Sequence, residues 1–509
     1  MSILNCRLIE NEVPEKVRVE QYNQIIDVAK EIGMARGLYF ILRLQSRKDI
    51  GVHINNGKTE EISSGNLEGI GLQVFTPEGY IGFAAADQIS VEVVKDLFEK
   101  AAFLAEQSKS FHGEPNVEIF KLKEHHTRRE IKLDNPYGTL SLMEIETRLK
   151  ELNNELTVID SRLSVRTLLR LTDEEWRIVR SDGTDTIFNT PRSMLYHSIT
   201  AKSTEDTATT FANLPGTDLG VLIKQENIRK IQERAKKATR LALDLLSAPK
   251  LAGGHYKLVI DYALAKGLAH EAFGHAAETD SIESSILGEN GRFKTGMTVA
   301  DSDLSIIDGP LEGDYAYQPI SAVGEVRQTV KIVDHGKLNA GLSDIFSADR
   351  AGVPYTGAER IENFFHLPIS RMSNIRIEME KPLPINQDFE SVTPKDLYRI
   401  LMDNQLMKAD ENVLYLVGFQ GGQVNPAFGD FVFHCSGIYQ LSPEPVLYKP
   451  AIFSGKILSV LRSVKAAIGQ LQIDAIGTCG KMGQGVPSCG GSHYFLVIDK
   501  NPEVTIGGK

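Results

Sequence analysis

The residues best suited to chemistry are His270-Glu271-Ala272-Phe273-Gly274-His275, which follow an apolar stretch at 256–260 and sit in a run of helix formers. Imidazoles bind divalent metals, and a neighbouring glutamate can take a proton from water. The zincin motif spaces its two histidines four apart, on one face of a helix. Here the spacing is five. On a regular α-helix five residues rotate a side chain by roughly 140°, so the two rings would not face one point. A π-turn aligns positions i and i+5, and such turns gather at functional sites. Gly274, just before the second histidine, lowers the steric cost of that deformation. The spacing therefore predicts a π-bulge or broken helix within 268–277 that lets both imidazoles converge. Two unrelated histidines on an amphipathic helix would give the same string.

A second candidate lies near the C-terminus. Gly477-Thr478-Cys479-Gly480-Lys481-Met482-Gly483-Gln484-Gly485 is a glycine-dense loop carrying one cysteine. Such a loop can bring a thiolate beside a metal, and Lys481 would favour the deprotonated sulfur. One thiolate and two imidazoles form a zinc set that leaves a fourth position open for water. A buried structural thiol is the competing reading of Cys479. Cys489 is a rival ligand or a redox partner for Cys479, and His493 follows closely in sequence. His255, Glu278 and Asp280 flank the histidine motif, where they either orient ligands or occupy a helix surface. His434 and Cys435 fall in an alternating strand, so only one of them can face a given site.

The elements that must position these groups can be read from pattern. Apolar spacing at 19–32 and at Val94, Leu97, Phe98, Ala101 and Ala105 predicts two helices around several strands. Asn56-Gly57 marks a type I′ hairpin turn, and Thr76-Pro77-Glu78-Gly79 a second tight turn. A polar stretch at 109–135 reads as a linker, and its His125-His126 pair would point to opposite faces of a strand. A helix near 140–152, strands over 156–203 and a long amphipathic helix over 223–246 form a second block. Pro249 and Gly253-Gly254 then punctuate the chain. The expected class is α+β. Residues 1–108 and 136–249 form a mixed α/β N-terminal domain of helices and antiparallel strands, and 250–509 a β-rich C-terminal domain carrying the metal site.

The chain has 509 residues, with 56 Lys plus Arg against 67 Asp plus Glu and a net charge of -11. That balance opposes a broad nucleic-acid-binding surface, and the basic run at 224–240 reads as a solvated helix face. No apolar run reaches the 18 or so residues that span a bilayer. Residues 1–10 contain no signal-peptide h-region. Four cysteines (Cys6, Cys435, Cys479, Cys489) are too few for a disulfide scaffold. The expectation is a soluble cytoplasmic protein without membrane contact.

Further stretches join the histidine and cysteine motifs in a fixed order: Gly82-Phe83-Ala84, Tyr355-Thr356-Gly357, Leu367-Pro368-Ile369-Ser370-Arg371-Met372-Ser373-Asn374 and Gly421-Gly422-Gln423-Val424. In that order the chain resembles the TldD/PmbA metallopeptidases, once described as modulators of DNA gyrase, over most of its length. The resemblance implies one zinc per chain held by His270, His275 and Cys479, with Glu271 as general base. It is similar to the TldD-type, zinc-binding subunit. It further implies cleavage of unfolded or small peptides with little sequence preference, bound extended in a cavity of a homodimer or of a heterodimer with a TldE/PmbA-type paralogue. The alternative is a non-catalytic partner or regulatory subunit of a peptidase complex. Two stretches depart from the family pattern. Ala322-Val323 stands where an acidic pair often precedes the glycine matching Gly324, and Ser488-Cys489-Gly490-Gly491-Ser492-His493 replaces a Gly-Gln-Pro-like stretch.

Overall fold

The computed structural model describes residues 18–111 and 113–507, so Cys6 and the segment 1–10 lie outside it. Helix α1 (Asn23–Arg36) leads into β1 (Tyr39–Asn55), which pairs antiparallel with β2 (Lys58–Phe75) along its full length. Asn56 and Gly57 join them with φ of 47° and 76°, the positive pair that a type I′ turn requires. Gly79 (φ 93°) makes the turn to β3 (Ile81–Ala86), and α2 (Val91–Ser110) follows. Within 109–135 the chain forms a short 3-10 turn and a strand, β4 (His126–Arg129). After α3 (Leu142–Thr157) come β5 (Leu163–Arg180), β6 (Asp185–Asn189), β7 (Arg192–Lys202) and β8 (Thr207–Gly216). The sheet order is β3-β2-β1-β5-β6-β4, while β7 pairs with the other half of β5 and β8 with β7.

Strand periodicity decides which side of this sheet meets what. Phe40, Leu42 and Leu44 of β1 pack under α1 and α2. Ile50, Val52 and Ile54 pack under α3 and, after the short α4 (Gly220–Ile223), under α5 (Gln225–Leu245). The alternate residues Ile41, Arg43 and Gln45 face the second half of the chain. Ile41, Trp176 and Phe188 bury Ile320, Ala322 and Val323. Arg43 Nε donates to the Ala322 carbonyl at 2.5 Å, and Arg180 Nη1 to that of Val323 at 3.1 Å. An apolar Ala322-Val323 pair thus fits a contact in which only its main chain is polar. Arg234 of α5 adds buried ion pairs to Glu390 and Asp474.

The second half is built on an eleven-stranded mixed sheet, with β9 (Lys257–Asp261) near its middle. The long strand Gln484–Ile498 runs antiparallel to β9 on one side, and Val413–Val417 runs parallel on the other. The long strand also pairs in parallel with Asn374–Met379 and continues into a hairpin with Gly477–Lys481. A separate four-stranded sheet places Gly422–Asn425 at its edge. Gly490 and Gly491 allow neighbouring chain to close on both sides of the long strand: a Cβ would overlap the Ile375 carbonyl at one and the Gln472 carbonyl at the other. Gly490→Ala is therefore expected to destabilise the protein by about 1–3 kcal/mol or more, read as a lowered Tm. Gly65→Ala, which meets no atom within 4 Å, should change it by less than about 0.5 kcal/mol.

Candidate metal centre

Strand β9 ends at Asp261, whose carboxylate accepts the Leu264 N–H at 2.9 Å and so caps helix α6 (Tyr262–Gly267). Its other oxygen accepts Gly418 N–H at 2.6 Å, and burial pushes the carboxyl up to about 6. Helix α6 passes directly into a π-helix, Leu268–Gly274, and a 3-10 turn, His275–Ala277. The His275 N–H donates to the carbonyl of His270, five residues back. The two imidazoles therefore project to one side, with ring centroids 5.2 Å apart and planes at 87°. Gly274 itself has an ordinary helical φ of -61°. Its role is close packing rather than conformational freedom, since a Cβ would overlap Met372 Sδ and stand 2.9 Å from Ile375 Cδ1.

The hairpin strand Gly477–Lys481 delivers the third group. Cys479 Sγ lies 3.6 Å from His275 Nε2. One donor atom each from His270, His275 and Cys479 fall within 4.8 Å of one another, the one such group among the described residues. His270 is fully buried, and neither of its ring nitrogens has a hydrogen-bond partner among the described residues. An unpaired buried nitrogen costs about 1–3 kcal/mol, and a ligand on the ring would remove that cost. Burial, then the nearby Lys266 charge, holds this imidazole well below the usual histidine range, so its lone pair is available. Two imidazoles and a sulfur fit zinc.

Glu271 is the most exposed member of the cluster, at 26%, with carboxylate oxygens 3.9 Å from Nε2 of both histidines. Glu278 is buried, and its Oε2 lies 3.1 Å from His275 Nδ1 and 2.9 Å from Lys481 Nζ. Burial raises its carboxyl, but His275 and Lys481 outweigh that and hold it below the usual range. For His275, burial disfavours the charged ring, yet Glu278 and Cys479 push it up to about 10. These surroundings favour positive charge between them. Lys481 binds Asp280 at 2.6 and 2.8 Å as well as Glu278, so it steadies His275 through the carboxylates. The sequence suggested instead that it acts on the thiol.

The remaining candidates fall elsewhere. Cys489 donates its S–H to the Ile473 carbonyl at 3.3 Å, outside the cluster. His493 uses Nε2 to accept the Met379 N–H at 3.1 Å, and Nδ1 lies 3.0 Å from the Gly469 carbonyl, so both nitrogens are engaged. His255 Nδ1 lies 2.7 Å from the Val504 carbonyl. His434 is exposed and Cys435 buried, as strand alternation demands. Sequence reasoning missed Lys266, buried with Nζ 3.1 Å from Ser488 Oγ; burial lowers its amine, and the nearby Glu271 and Cys479 only partly offset that. Its position four residues before His270, on the same helix face, was the available signal.

Comparison with known proteins gives the family. Residues 253–490 match the PmbA/TldA metallopeptidase C-terminal domain, and residues 42–105 match domain 1 of the same family. A metalloprotease of Methanocaldococcus jannaschii is 25% identical over 89% of this chain and 94% of its own. A metalloprotease TldD homologue of Buchnera aphidicola is 25% identical over 89% of each chain. The crystal structure of TldE from Thermococcus kodakarensis shares the fold, with a TM-score of 0.71 at 14% identity over 95% of this chain and all of that one. With two domains of one family matched along the chain and the fold shared end to end, this protein belongs to the TldD/PmbA family of metallopeptidases.

Proposed function

We propose that the chain is a zinc peptidase whose metal ligands are His270, His275 and Cys479 and whose general base is Glu271. The observation that carries this reading is the π-turn, which faces two imidazoles towards Cys479 with Glu271 beside them. Zinc bound there supplies Lewis acidity, polarising a scissile carbonyl and making water nucleophilic near neutral pH. Glu271, the partly exposed carboxylate, accepts the proton of the attacking water and passes it to the leaving nitrogen. Glu278 holds the His275 ring by its Nδ1 and leaves Nε2 for the metal.

The substrate reading is an unfolded or small peptide bound in extended form. Strand Gly422–Asn425 is the edge of its sheet among the described strands and lies against the π-helix. Addition of a strand to such an edge reads main chain rather than side chains, which gives weak sequence preference. The partner in this reading is a second copy or a TldE/PmbA-type paralogue that closes the cavity. None of the described helices is long and apolar enough to cross a membrane.

Elemental mass spectrometry on wild type and Cys479→Ser tests the ligand set. About one zinc per wild-type chain and a loss of most of it in Cys479→Ser are expected. Zinc retained in the variant would remove Cys479 from the site, and a folded, metal-free wild type would favour the non-catalytic partner reading. Glu271→Gln should keep its zinc while cleavage of a denatured protein falls at least about 100-fold. Normal turnover in that variant would end the general-base assignment. One test protein offered folded and denatured should be cut only in the denatured form; equal rates would discard the extended-peptide reading.

A further inference from the structure

The metal cluster draws its ligands from two separate parts of the chain. His270 and His275 share one short helical segment, whose backbone hydrogen bonds set their separation. Cys479 has no such local constraint. It sits on a two-stranded hairpin, Gly477–Lys481 with Gln484–Ser488, whose tip at Met482-Gly483 has positive φ and whose Met482 side chain is exposed. Its second arm is the start of the long sheet strand, but the Cys479 arm pairs with that arm alone among the described strands, so something must hold it against the histidines.

The holding contacts come from the segment between Glu359 and Arg371. Arg371 is completely buried and forks across the hairpin: Nη2 donates to the carbonyl of Cys479, and Nη1 lies 3.4 Å from that of Gln484, on the opposite arm. Arg360, also buried, donates through Nη1 to the Pro487 carbonyl at 2.7 Å and to the Met372 carbonyl at 2.5 Å. Glu362 accepts the Gly485 N–H at 2.6 Å, and Gln484 Nε2 donates to the Leu367 carbonyl at 2.9 Å. Among the described residues the Arg371 guanidinium has no carboxylate hydrogen-bond partner, and its Nε is buried without any partner. Enclosing a charge on those terms is costly for a part that packing alone could fill. Its planar fork, however, can hold two carbonyls at a set separation, which a lysine cannot do.

We infer that Arg371 is a positioning residue for the metal, pinning both arms of the Cys479 hairpin so that Sγ meets the two imidazoles, with Arg360 and Glu362 securing the second arm. Its stretch, Arg371-Met372-Ser373-Asn374, was visible in the sequence without a role. Met372, next in the chain, packs its sulfur on Gly274 between the two histidines. Both halves of the ligand set thus bear on consecutive residues. The inference rests on the proposed His270, His275 and Cys479 ligand set.

The experiment is chelator competition for zinc, together with the thiolate-to-cobalt charge-transfer band of the cobalt-loaded protein. It uses wild type, Arg371→Lys, Arg371→Met, Glu362→Gln, Arg376→Met and Cys479→Ser, with affinities measured on the folded fraction. Arg371→Lys and Arg371→Met are expected to bind zinc about 10–100-fold more weakly and to show a weakened or shifted thiolate band. Glu362→Gln should lose less, in the same direction, and it keeps the test decisive if an Arg371 variant fails to fold. Arg376, another buried arginine, pairs with Glu378 at 2.6 Å rather than with the hairpin, so Arg376→Met should keep wild-type affinity. Wild-type affinity and an unchanged band in Arg371→Lys and Glu362→Gln would overturn the inference. So would an equal loss in Arg376→Met. If wild type binds no metal, or Cys479→Ser binds as well as wild type, the ligand set itself fails.

Discussion

The hydrogen bond from His275 N–H to the carbonyl of His270, five residues back, is the constraint on which this molecule's chemistry depends. With ordinary helical bonding the second imidazole would swing away by roughly 140°, and no third ligand could meet both rings. A π-turn widens the helix and weakens its own packing, so it persists only where the surroundings hold it. Here they do so from two sides. Asp261 caps the helix start with one carboxylate oxygen and ties it to the Gly418 N–H with the other, and Met372 and Ile375 press on Gly274 at the other end, where any larger side chain would collide.

Around that turn the charges are arranged in layers. His270 and Cys479 are buried and His275 is partly so, while Glu271 is the most exposed of the four. Behind His275 lie Glu278, Lys481 and Asp280, linked by hydrogen bonds that hold the ring's orientation. Behind Cys479 lie arginines that grip main-chain carbonyls. Carboxylates thus orient the imidazole arm, and guanidinium groups hold the cysteine arm. The difference follows from the backbone: a ring on a rigid helical turn needs only its rotation set, whereas a hairpin needs its whole position set.

The N-terminal sheet contributes to this site at a distance. Its helices cover one face, and its other face seats the turn at Ala322-Val323 through Arg43 and Arg180. Phe364, within the segment that holds the hairpin, donates its N–H to Gln45 of the same sheet at 3.0 Å. The two halves are therefore mechanically continuous, from the sheet through the 359–371 segment to the cysteine strand.

Much of this was legible before folding because it is local. The turn at Asn56-Gly57, the faces of α2 and α5, and the π-bulge or broken helix by which His270 and His275 could converge all follow from spacing within a few residues. So does the opposite orientation of His434 and Cys435. What stayed hidden is long-range. Lys481 is two residues from Cys479, yet its charge is spent on Glu278 and Asp280, some two hundred positions away in the chain. Cys489 and His493 lie close to the ligand strand in sequence, but a strand bonded on both sides consumes their hydrogen-bonding groups elsewhere. The sequence by itself determined which residue types can bind a metal and that histidines five apart can meet only through an unusual turn, because helix geometry is a property of consecutive residues. Only the tertiary structure decided that Cys479 completes the cluster and that Arg371 holds it there, because those contacts join segments whose approach depends on packing of the whole sheet.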